Sequence, residues 1–471
     1  MENNRFDEYV QHFHETFPLG ESFDIAERKL VIGEKKAHFY FIEGFMKSEI
    51  MERVMATLLK VTKKEMESCK DAQDFISSEM PYAQVKAEND KDNMTKSVLS
   101  GMTVVFIEGF QEALVMDLRT YPVRGVDEPE KEKSLRGPKD GLVETLLFNT
   151  NLIRRRIRDP RLVFELKSVG TTSKTDVCVV YMKGVADEKL LAKIKGKIDD
   201  IQTDTLTVGD QSLVESIGKS QWLNPLPKVR YTQRPDVVAA HLTEGKIVVI
   251  IDNSPTAIMI PTSIFDFIQD TDDYYFPIIT GNYLRALRVI NMFAVLLLTP
   301  VYLLIAEGHI PVPVLEFFLP DEVYAIPLFW QFILLEIAVD GLKLASLSTP
   351  SSLGMSLSVI GALILGEFAV ESGWFIPQTI LCMAALALAA FTQPSIELGF
   401  AIKFMRILLL IGIIILGIPG AIIAMGINVL VLATTKSLAG TSYLYPLIPF
   451  RWAPLKQLLF RTRKPKSEKR E

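Results

Sequence analysis

The amino-acid sequence predicts an α+β cytoplasmic head, built of two tandem α/β subdomains, followed by an all-α polytopic membrane domain. The first observation is that long apolar segments lie between residues 289 and 435 of the 471-residue chain. Such segments have the length that a helix needs to cross a bilayer. The second is that most charged residues lie outside this region. The third is a pattern of strand, glycine and helix that occurs twice in the first 280 residues.

The predicted organisation has six parts, which differ in composition and in pattern. The N-terminal part has no sustained apolar face, so we expect a loosely attached arm. The N-terminus lacks the layout of a signal peptide, and Cys69, Cys178 and Cys382 have no short spacing. A cytoplasmic head in a reducing compartment is therefore expected. In chain order the parts are the arm at residues 1–35, the first α/β subdomain at 36–120, a charged linker and helix at 121–160, the second α/β subdomain at 161–280, the membrane domain at 281–436 and a basic cytoplasmic tail at 437–471.

The two subdomains are inferred from a match between distant parts of the chain. Residues 38–42 are predicted to form a strand that leads through a charged residue and a glycine into a helix at about residues 48–60. The same pattern occurs 140 residues later, with a strand at 178–182 and a helix at about 187–199. Each unit therefore opens with the same β-glycine-α motif.

A second match has nearly the same offset. Residues 101–108 and 245–252, which are 144 residues apart, are both apolar strands followed by a turn and another strand. Gly109 and the sequence Asn253-Ser254-Pro255 supply the turn residues, so each subdomain is predicted to close with a β-hairpin. Chance similarity of β-rich segments is the alternative, and two matches at nearly equal offsets argue against it.

The membrane domain contains five apolar segments that compete for four crossings. Arg285 and Arg288 precede the first segment and acidic residues follow it, which places the head inside. The basic tail is expected on the same side, so the number of full crossings should be even. Pro419 interrupts the fifth segment, which is either a kinked span or a re-entrant hairpin. Either this segment or the second one is therefore not a simple full crossing of the membrane. The five segments are residues 289–306, 326–348, 353–370, 375–391 and 407–433.

Charged side chains inside the second segment are the strongest candidates for function. Glu336, Asp340, Lys343 and Ser346 follow helical spacing and fall on one face of the predicted helix. Charge in hydrocarbon is costly, so this stripe must face water or protein. If several subunits present it to a common axis, it lines a cation-attracting pore. The alternative is an ion pair between Asp340 and Lys343, with Glu336 bonded to a neighbouring helix, that only fixes packing.

Three further carboxylates complete the set of candidates. Glu367 and Glu371 form a like-charge pair four residues apart, near small residues that permit close helix approach. Both can line a vestibule, although Glu371 precedes a turn typical of the membrane interface and can simply be solvated there. Glu397 follows a proline-broken segment and is either an ion ligand or a loop carboxylate, and we favour the loop carboxylate. The predicted ion pathway consists of Glu336, Asp340, Lys343, Glu367 and Glu371.

The sequence carries no signature of an enzyme. It has no phosphate-binding glycine-rich loop with a lysine and no nucleophile elbow. Its five histidines are scattered, and His12 and His14 lie in too polar a context to predict a metal site. The run Arg154-Arg155-Arg156 is either a site for phosphate or anionic lipid or, more commonly, a solvated helix end that pairs with acidic residues. We expect no catalytic activity, cofactor, metal or nucleic-acid partner.

A set of motifs between residues 120 and 450 carries a family resemblance. It includes a charged linker, an arginine-rich helix end and a glycine-flanked membrane segment that ends at Glu367. The matching segments are residues 128–141, 144–145, 151–157, 170–177, 233–236, 244–245, 252–255, 361–367 and 443–450. They resemble the signature of the GerA family, the A subunits of bacterial spore germination receptors.

The resemblance implies a protein of the spore inner membrane with a two-part cytoplasmic head. Its spanning domain is expected to form a homo-oligomer, a pentamer, that conducts ions during germination together with other germination membrane proteins. Gln331 stands where A subunits often have Glu, and Leu344 follows Lys343 where they usually have another carboxylate. An accessory or amplifying channel therefore fits better than a nutrient-gated one. The alternatives are a non-conducting scaffold for germination receptors or dipicolinate release machinery, and a secondary transporter suggested by the broken helix at Pro419.

Overall fold

The computed structural model describes residues 4–121, 132–206, 209–218, 223–310, 319, 325–348 and 369–460. The chain divides into two compact units. The first unit comprises Met1–Ser220 and Val229–Pro261, and the second comprises Gln221–Lys228 and Thr262–Glu471. The chain therefore passes from one unit to the other three times.

The first half of the first unit is a five-stranded antiparallel sheet with helices on both faces. Its elements are α1 (Asn4–Thr16), β1 (Ile25–Ile32), β2 (Lys35–Ile42), α2 (Ser48–Leu58), α3 (Lys63–Ser68), α4 (Ala72–Ser78), β3 (Val85–Glu88), α5 (Lys91–Leu99), β4 (Thr103–Ile107) and β5 (Ala113–Met116). The strands lie in the order β1-β2-β4-β5-β3. Because helices cover both faces, every residue of β4 and β5 is buried.

The second half of the first unit repeats this arrangement. Its elements are α6 (Leu146–Arg156), β6 (Leu162–Val169), β7 (Thr175–Met182), α7 (Glu188–Asp199), α8 (Gly209–Ile217), β8 (Arg230–Thr232), α9 (Pro235–Thr243), β9 (Ile247–Ile251) and β10 (Ala257–Ile260). The strands lie in the equivalent order β6-β7-β9-β10-β8. The offset of 140 residues relates β2 to β7, and the offset of 144 residues relates β4 to β9.

Polar side chains at the helix starts explain where several of these helices begin. Asp90 accepts a hydrogen bond from Asn93 N at 2.7 Å at the start of α5. Asp187 accepts one from Lys189 N at 2.9 Å at the start of α7. Each aspartate satisfies an amide that has no partner within its helix, a contribution of about 1 kcal/mol.

The N-terminal residues differ from the loosely attached arm predicted for residues 1–35. Phe6, Tyr9 and Phe13 of α1 are buried, and Phe13 lies 4.8 Å from the ring of Phe106 in β4. Strand β1 pairs with β2 along its whole length. These residues belong to the first subdomain because the aromatic side chains recur at helical spacing and cover one face of the sheet.

A buried ion pair joins the two halves of the first unit. Arg154 Nε donates to Asp24 Oδ2 at 2.7 Å, and both side chains are fully buried. Ser22 Oγ accepts from the amide of Phe164 at 3.0 Å. Arg156 pairs with Asp140 at 2.6 Å. Two arginines of the basic run are therefore paired with acidic residues, but Arg154 is buried, so the run is not the solvated helix end that the second interpretation expects.

The second unit is helical over most of its described residues. Its elements are a 3-10 turn (Ile264–Phe267), α10 (Asp272–Tyr275), α11 (Ile278–Ala306), α12 (Leu328–Ser348), α13 (Ala369–Glu371), α14 (Pro377–Phe391), α15 (Ile396–Leu416), α16 (Ile418–Thr434) and α17 (Trp452–Leu459). By length and composition, α11 and α15 are each able to cross a membrane, and α14 and α16 are shorter apolar helices. Residues 353–368 of the predicted third segment lie outside the described residues.

The fifth predicted segment is not one kinked helix, because two helices, α15 and α16, pack against each other there. Gly417 separates α15 from α16 with φ 64° and ψ −134°, a conformation that is open almost only to glycine. A Cβ on Gly412 would lie 2.6 Å from the carbonyl oxygen of Gly420, so the two helices touch through backbone. Asn428 Nδ2 donates to Met405 O at 3.1 Å farther along the pair.

The predicted start of that segment, at residue 407, is wrong. Helix α15 begins at Ile396 and contains Lys403 and Arg406. Glu397 lies in its first turn, so the interpretation of Glu397 as a loop carboxylate is also wrong. The prediction followed a charge-free stretch, whereas the helix continues through both cations because acidic side chains of α12 neutralise them.

A short stretch of the predicted second subdomain belongs to the second unit instead. Leu226 is buried in a core cluster with Phe267. Asn224 Nδ2 donates to Thr435 Oγ1 at 2.8 Å. The predicted boundary at residue 280 is therefore displaced, and residues 223–228 and the chain from Thr262 onward pack with the helices.

Candidate functional site

Four charged side chains meet between α12 and α15. Arg406 Nη2 donates to Glu336 Oε1, and Lys403 Nζ donates to Asp340 Oδ2. Lys403 Nζ also lies 3.7 Å from Glu336 Oε2. Two carboxylates thus balance two cations. We call Glu336, Asp340, Lys403 and Arg406 the charge cluster.

Helical spacing positions both halves of the charge cluster. Glu336 and Asp340 are four residues apart, and Lys403 and Arg406 are three apart, so each pair lies on one face of its helix. Ser395 Oγ accepts from the amide of Leu398 at 3.2 Å and fixes the start of α15. The two cations therefore fall in the second and third turns of an apolar helix.

The inner pair of the cluster, Glu336 and Arg406, is sealed from solvent. Arg406 is 1% exposed and Glu336 is 4% exposed. Arg406 Nη1 also donates to the carbonyl of Val295 in α11 at 2.6 Å. The guanidinium therefore connects three helices, and in a medium of low dielectric constant its attraction to the carboxylate is strong.

The outer pair, Asp340 and Lys403, is more accessible. The Asp340 side chain is 26% exposed and the Lys403 side chain is 15% exposed. Because Lys403 lies near both carboxylates, a small shift of its ammonium toward Glu336 would leave Asp340 without its cation. The outer pair can therefore present either a neutral pair or a free carboxylate.

The predicted pathway residues have different positions in the structure. Glu336 and Asp340 come together, and the Lys343 ammonium lies 5.6 Å from the centroid of the Phe391 ring. Glu371 is exposed at the end of α13. Glu367 lies outside the described residues. Sequence reasoning missed Lys403 and Arg406, although they too share one helical face within an apolar segment.

Gln331 fixes the start of α14 against α12. Its Oε1 accepts hydrogen bonds from the amide of Ile376 at 3.1 Å and from Thr379 Oγ1 at 2.9 Å. Gln331 is fully buried, so its uncharged amide meets these donors without the cost of burying a charge. Gln331 thus links the start of α14 to α12.

A second set of titratable groups ties α1 to the first sheet. Glu27 Oε1 lies 3.0 Å from His14 Nε2 and 2.9 Å from His38 Nδ1, and it accepts from Tyr40 Oη at 2.7 Å. Burial alone would raise the pKa of Glu27, but the hydrogen bonds from His14 and Tyr40 outweigh it and hold the pKa at about 2. Burial lowers the pKa of His38. His14 and Tyr40 stabilise the ionised carboxylate, and the hydrogen bonds hold α1 against β1 and β2.

Two arginines near the start of α11 are paired within the second unit. Arg288 Nη1 donates to Asp273 Oδ1 at 2.5 Å, and Arg285 Nε lies 3.5 Å from the other oxygen of the same carboxylate. Arg285 Nη1 donates to the carbonyl of Leu458 in α17 at 2.7 Å. The first turns of α11 are thus joined to both α10 and α17.

Comparison with known proteins assigns the chain to a family. Residues 11–471 match the family of the Bacillus/Clostridium GerA spore germination protein. The chain belongs to this family, and the resemblance inferred from its motifs is confirmed.

Two relatives with known names agree with this assignment. The chain is 35% identical to stage V sporulation protein AF of Bacillus subtilis (strain 168), over 97% of this chain and 92% of that protein. It is 28% identical to spore germination protein KA of the same organism, over 94% of this chain and 82% of that protein. Among solved structures, the chain is similar to the N-terminal domain of the A subunit of the Bacillus megaterium spore germinant receptor GerK3. The match covers 55% of this chain and 95% of the GerK3 chain, with 23% identity and a TM-score of 0.40.

Proposed function

We propose that this chain is a subunit of an oligomeric ion channel of the bacterial spore inner membrane, with an accessory or amplifying role in spore germination. Membership of the GerA family supports the germination role. Helices α11 and α15 are long and apolar enough to cross a membrane, which supports a membrane location. In the proposed topology the chain crosses several times, with the head and tail in the cytoplasm. The proposed partners are further copies of this chain, in a pentamer, and other germination membrane proteins. No catalytic step is part of the proposal.

The observation that carries the channel proposal is a charge cluster within apolar helices. Ionised groups at membrane depth are costly, and they mark ion pathways in many membrane proteins. Asp340 is the more accessible carboxylate of the cluster, so we assign it the contact with the ion. Glu336 holds Arg406 in place. Lys343, Glu367 and Glu371 remain predicted contributors to the pathway.

Lys403 gives this pathway an internal counter-ion. While its ammonium neutralises Asp340, the site attracts cations weakly. When it moves toward Glu336, which lies 3.7 Å away, the Asp340 carboxylate becomes available to a passing cation. Removing Lys403 and removing Asp340 should therefore have opposite effects on cation flux.

Flux of potassium from liposomes that contain the full chain tests the proposal. Asp340→Asn should lower the flux and Lys403→Gln should raise it. The control is Glu49→Gln/Glu52→Gln, which removes two exposed carboxylates of the head and should leave flux unchanged. If Glu336→Gln/Asp340→Asn leaves flux equal to that of the unaltered chain, the assignment of the pathway is wrong.

A non-conducting scaffold is the second candidate, and the neutrality of the charge cluster favours it. Each carboxylate already has a cation, and Arg406 joins three helices, as in a cluster that only fixes packing. A scaffold for germination receptors or dipicolinate release machinery should give silent liposomes but retain its partners during purification. Flux from the purified chain without partners favours the channel.

A further inference from the structure

The segment that follows α16 exposes much apolar surface. We call residues 445–460 the C-terminal surface segment. Its large apolar side chains with an exposed fraction between 36% and 65% are Tyr445, Leu447, Ile448, Phe450, Trp452, Leu459 and Phe460. The rings of Phe450 and Trp452 stack with their centroids 6.5 Å apart. Apolar side chains grouped so closely mark a surface that another molecule covers.

The charge of this part of the chain has one sign. The sequence has no Asp or Glu between residues 398 and 467. Arg451 and Lys456 are exposed within the C-terminal surface segment. Of the 11 residues after Phe460, six are Lys or Arg and two are Glu. Aromatic and aliphatic side chains beside basic ones are typical of helices that lie in the membrane interface.

A hydrogen bond places this segment beside the start of α11 and so indicates its depth relative to the bilayer. Arg285 Nη1 donates to the carbonyl of Leu458, near the start of α11. Helix α11 has 29 residues and is about 44 Å long, about 14 Å longer than the hydrocarbon core of a bilayer. Its residues from 289 onward are uncharged and mostly apolar, so the excess length lies at the end that carries Arg285. That end reaches the layer of the lipid headgroups.

We infer that the C-terminal surface segment lies in the headgroup layer and binds anionic phospholipids. Its aromatic side chains reach the boundary of the acyl chains, and Arg451 and Lys456 pair with headgroup phosphates. The inference rests on the proposed membrane location of the second unit. It adds a lipid site that is separate from the charge cluster.

Charge complementarity favours a lipid over a protein partner. Lysine is depleted in the buried centres of protein interfaces, whereas a bilayer that contains anionic lipid offers phosphates all along its surface. Each basic residue near such a surface contributes to binding, and the effect adds up along a basic sequence. The basic residues after Phe460 extend the same charge.

Quenching of tryptophan fluorescence by brominated lipid tests the inference. The full chain is reconstituted into vesicles of three parts phosphatidylcholine to one part phosphatidylglycerol. Equal fractions of one lipid or the other carry dibrominated acyl chains, which quench tryptophan on contact. The chain has four tryptophans. The variant W222F/W330F/W374F reports Trp452 alone, and W452F reports the other three.

Brominated lipid should quench Trp452, and brominated phosphatidylglycerol should do so about twofold more strongly than phosphatidylcholine. Arg451→Gln/Lys456→Gln should remove this preference. The matched control Lys60→Gln/Lys64→Gln, which removes two exposed lysines of the head, should retain it. In about 1 M salt the preference should fall while the quenching itself persists, because salt screens charge but not apolar insertion.

Failure of the lipid inference and failure of the membrane location would give different quenching results. Quenching in W452F but not at Trp452 would show that protein covers the segment, and it would overturn the inference while leaving the membrane location intact. Equal quenching of Trp452 by both lipids would overturn the preference for anionic lipid. An absence of quenching in both variants would contradict the membrane location itself, because Trp330 and Trp374 are 55% and 58% exposed in the second unit.

Discussion

The inner pair of the charge cluster allows a quantitative prediction about single and double substitutions. Arg406 and Glu336 are 1% and 4% exposed, so each would be a buried charge without its partner. Removing one member of a buried ion pair costs about 3–5 kcal/mol in free energy of unfolding, whereas replacing both members by apolar residues is often nearly neutral. Arg406→Met should therefore cost about 3–5 kcal/mol. Glu336→Leu/Arg406→Met should cost about 1 kcal/mol or less.

The outer pair supplies a comparison within the same cluster. The Asp340 side chain is 26% exposed, so its charge retains part of its solvation. Asp340→Asn should lower the free energy of unfolding by about 1 kcal/mol, clearly less than Arg406→Met. The two substitutions remove charges from adjacent ion pairs, and burial accounts for the difference between them.

Equilibrium unfolding of the full chain in mixed micelles, with increasing fractions of denaturing detergent, measures these free energies. Glu336→Leu completes a double-mutant cycle with Arg406→Met and the double variant. If each single substitution costs about 3–5 kcal/mol and the double variant about 1 kcal/mol or less, the coupling energy is about 5 kcal/mol or more. If the costs of the single substitutions add up in the double variant, Glu336 and Arg406 are not a coupled buried pair, and the description of the site is incorrect.

Three further substitutions test other parts of the structure. Gly417→Ala should lower the free energy of unfolding by about 1–3 kcal/mol in the same detergent assay. The backbone conformation of Gly417 is strained for any side chain, and the new Cβ would lie 3.0 Å from His309. The control is Gly426→Ala, whose new Cβ meets nothing within 4 Å and should not destabilise the chain. Phe13→Ala should cost about 3–5 kcal/mol and speed proteolysis near the N-terminus, because Phe13 is fully buried. If Phe13→Ala and the unaltered chain are cleaved at the same rate, α1 does not pack on the first sheet. Glu27 has a pKa of about 2 in the folded protein and 4.5 as its ordinary value. Its stabilisation is complete above pH 4.5 and is lost as the pH falls toward 2. Glu27→Gln should therefore flatten the loss of thermal stability over this window, as measured by circular dichroism, and an unchanged slope would assign the acid sensitivity to other groups.

The repeated architecture of the head was predictable because its signals are local. The strands at residues 38–42 and 178–182 are apolar, and each leads through a glycine into a helix, so both could be recognised and matched by offset. The short edge strand β8 is different. Arg230–Thr232 has little apolar character and forms a strand by pairing with β10, a contact that lies far away in sequence.

The N-terminal helix could have been found from its own sequence. Phe6, Tyr9, Phe13 and Phe17 recur at spacings of three and four residues, which is the pattern of one buried helical face. The charged residues between them hide this pattern when the segment is judged by average composition.

The charge cluster was only half predictable. The spacing of Glu336 and Asp340 indicates a shared face, and that face needs a partner. The sequence of one helix does not reveal which side chains of other helices pack against that face. The positions of Lys403 and Arg406 opposite them depend on the packing of α15 against α12, which brings together residues more than 60 positions apart.

The insertion of residues 223–228 among the helices has a consequence for dividing the protein. A fragment that ends at Pro261 would keep Leu226 but lose Phe267, so it would carry an apolar side chain with no core to enter. A fragment that starts at Thr262 would lack Asn224, the hydrogen-bond donor to Thr435. Cutting one peptide bond between the units therefore yields two incomplete pieces. To produce the first unit alone, residues 223–228 are removed and the chain is joined across the gap. To produce the second unit alone, residues 223–228 are supplied together with the helices.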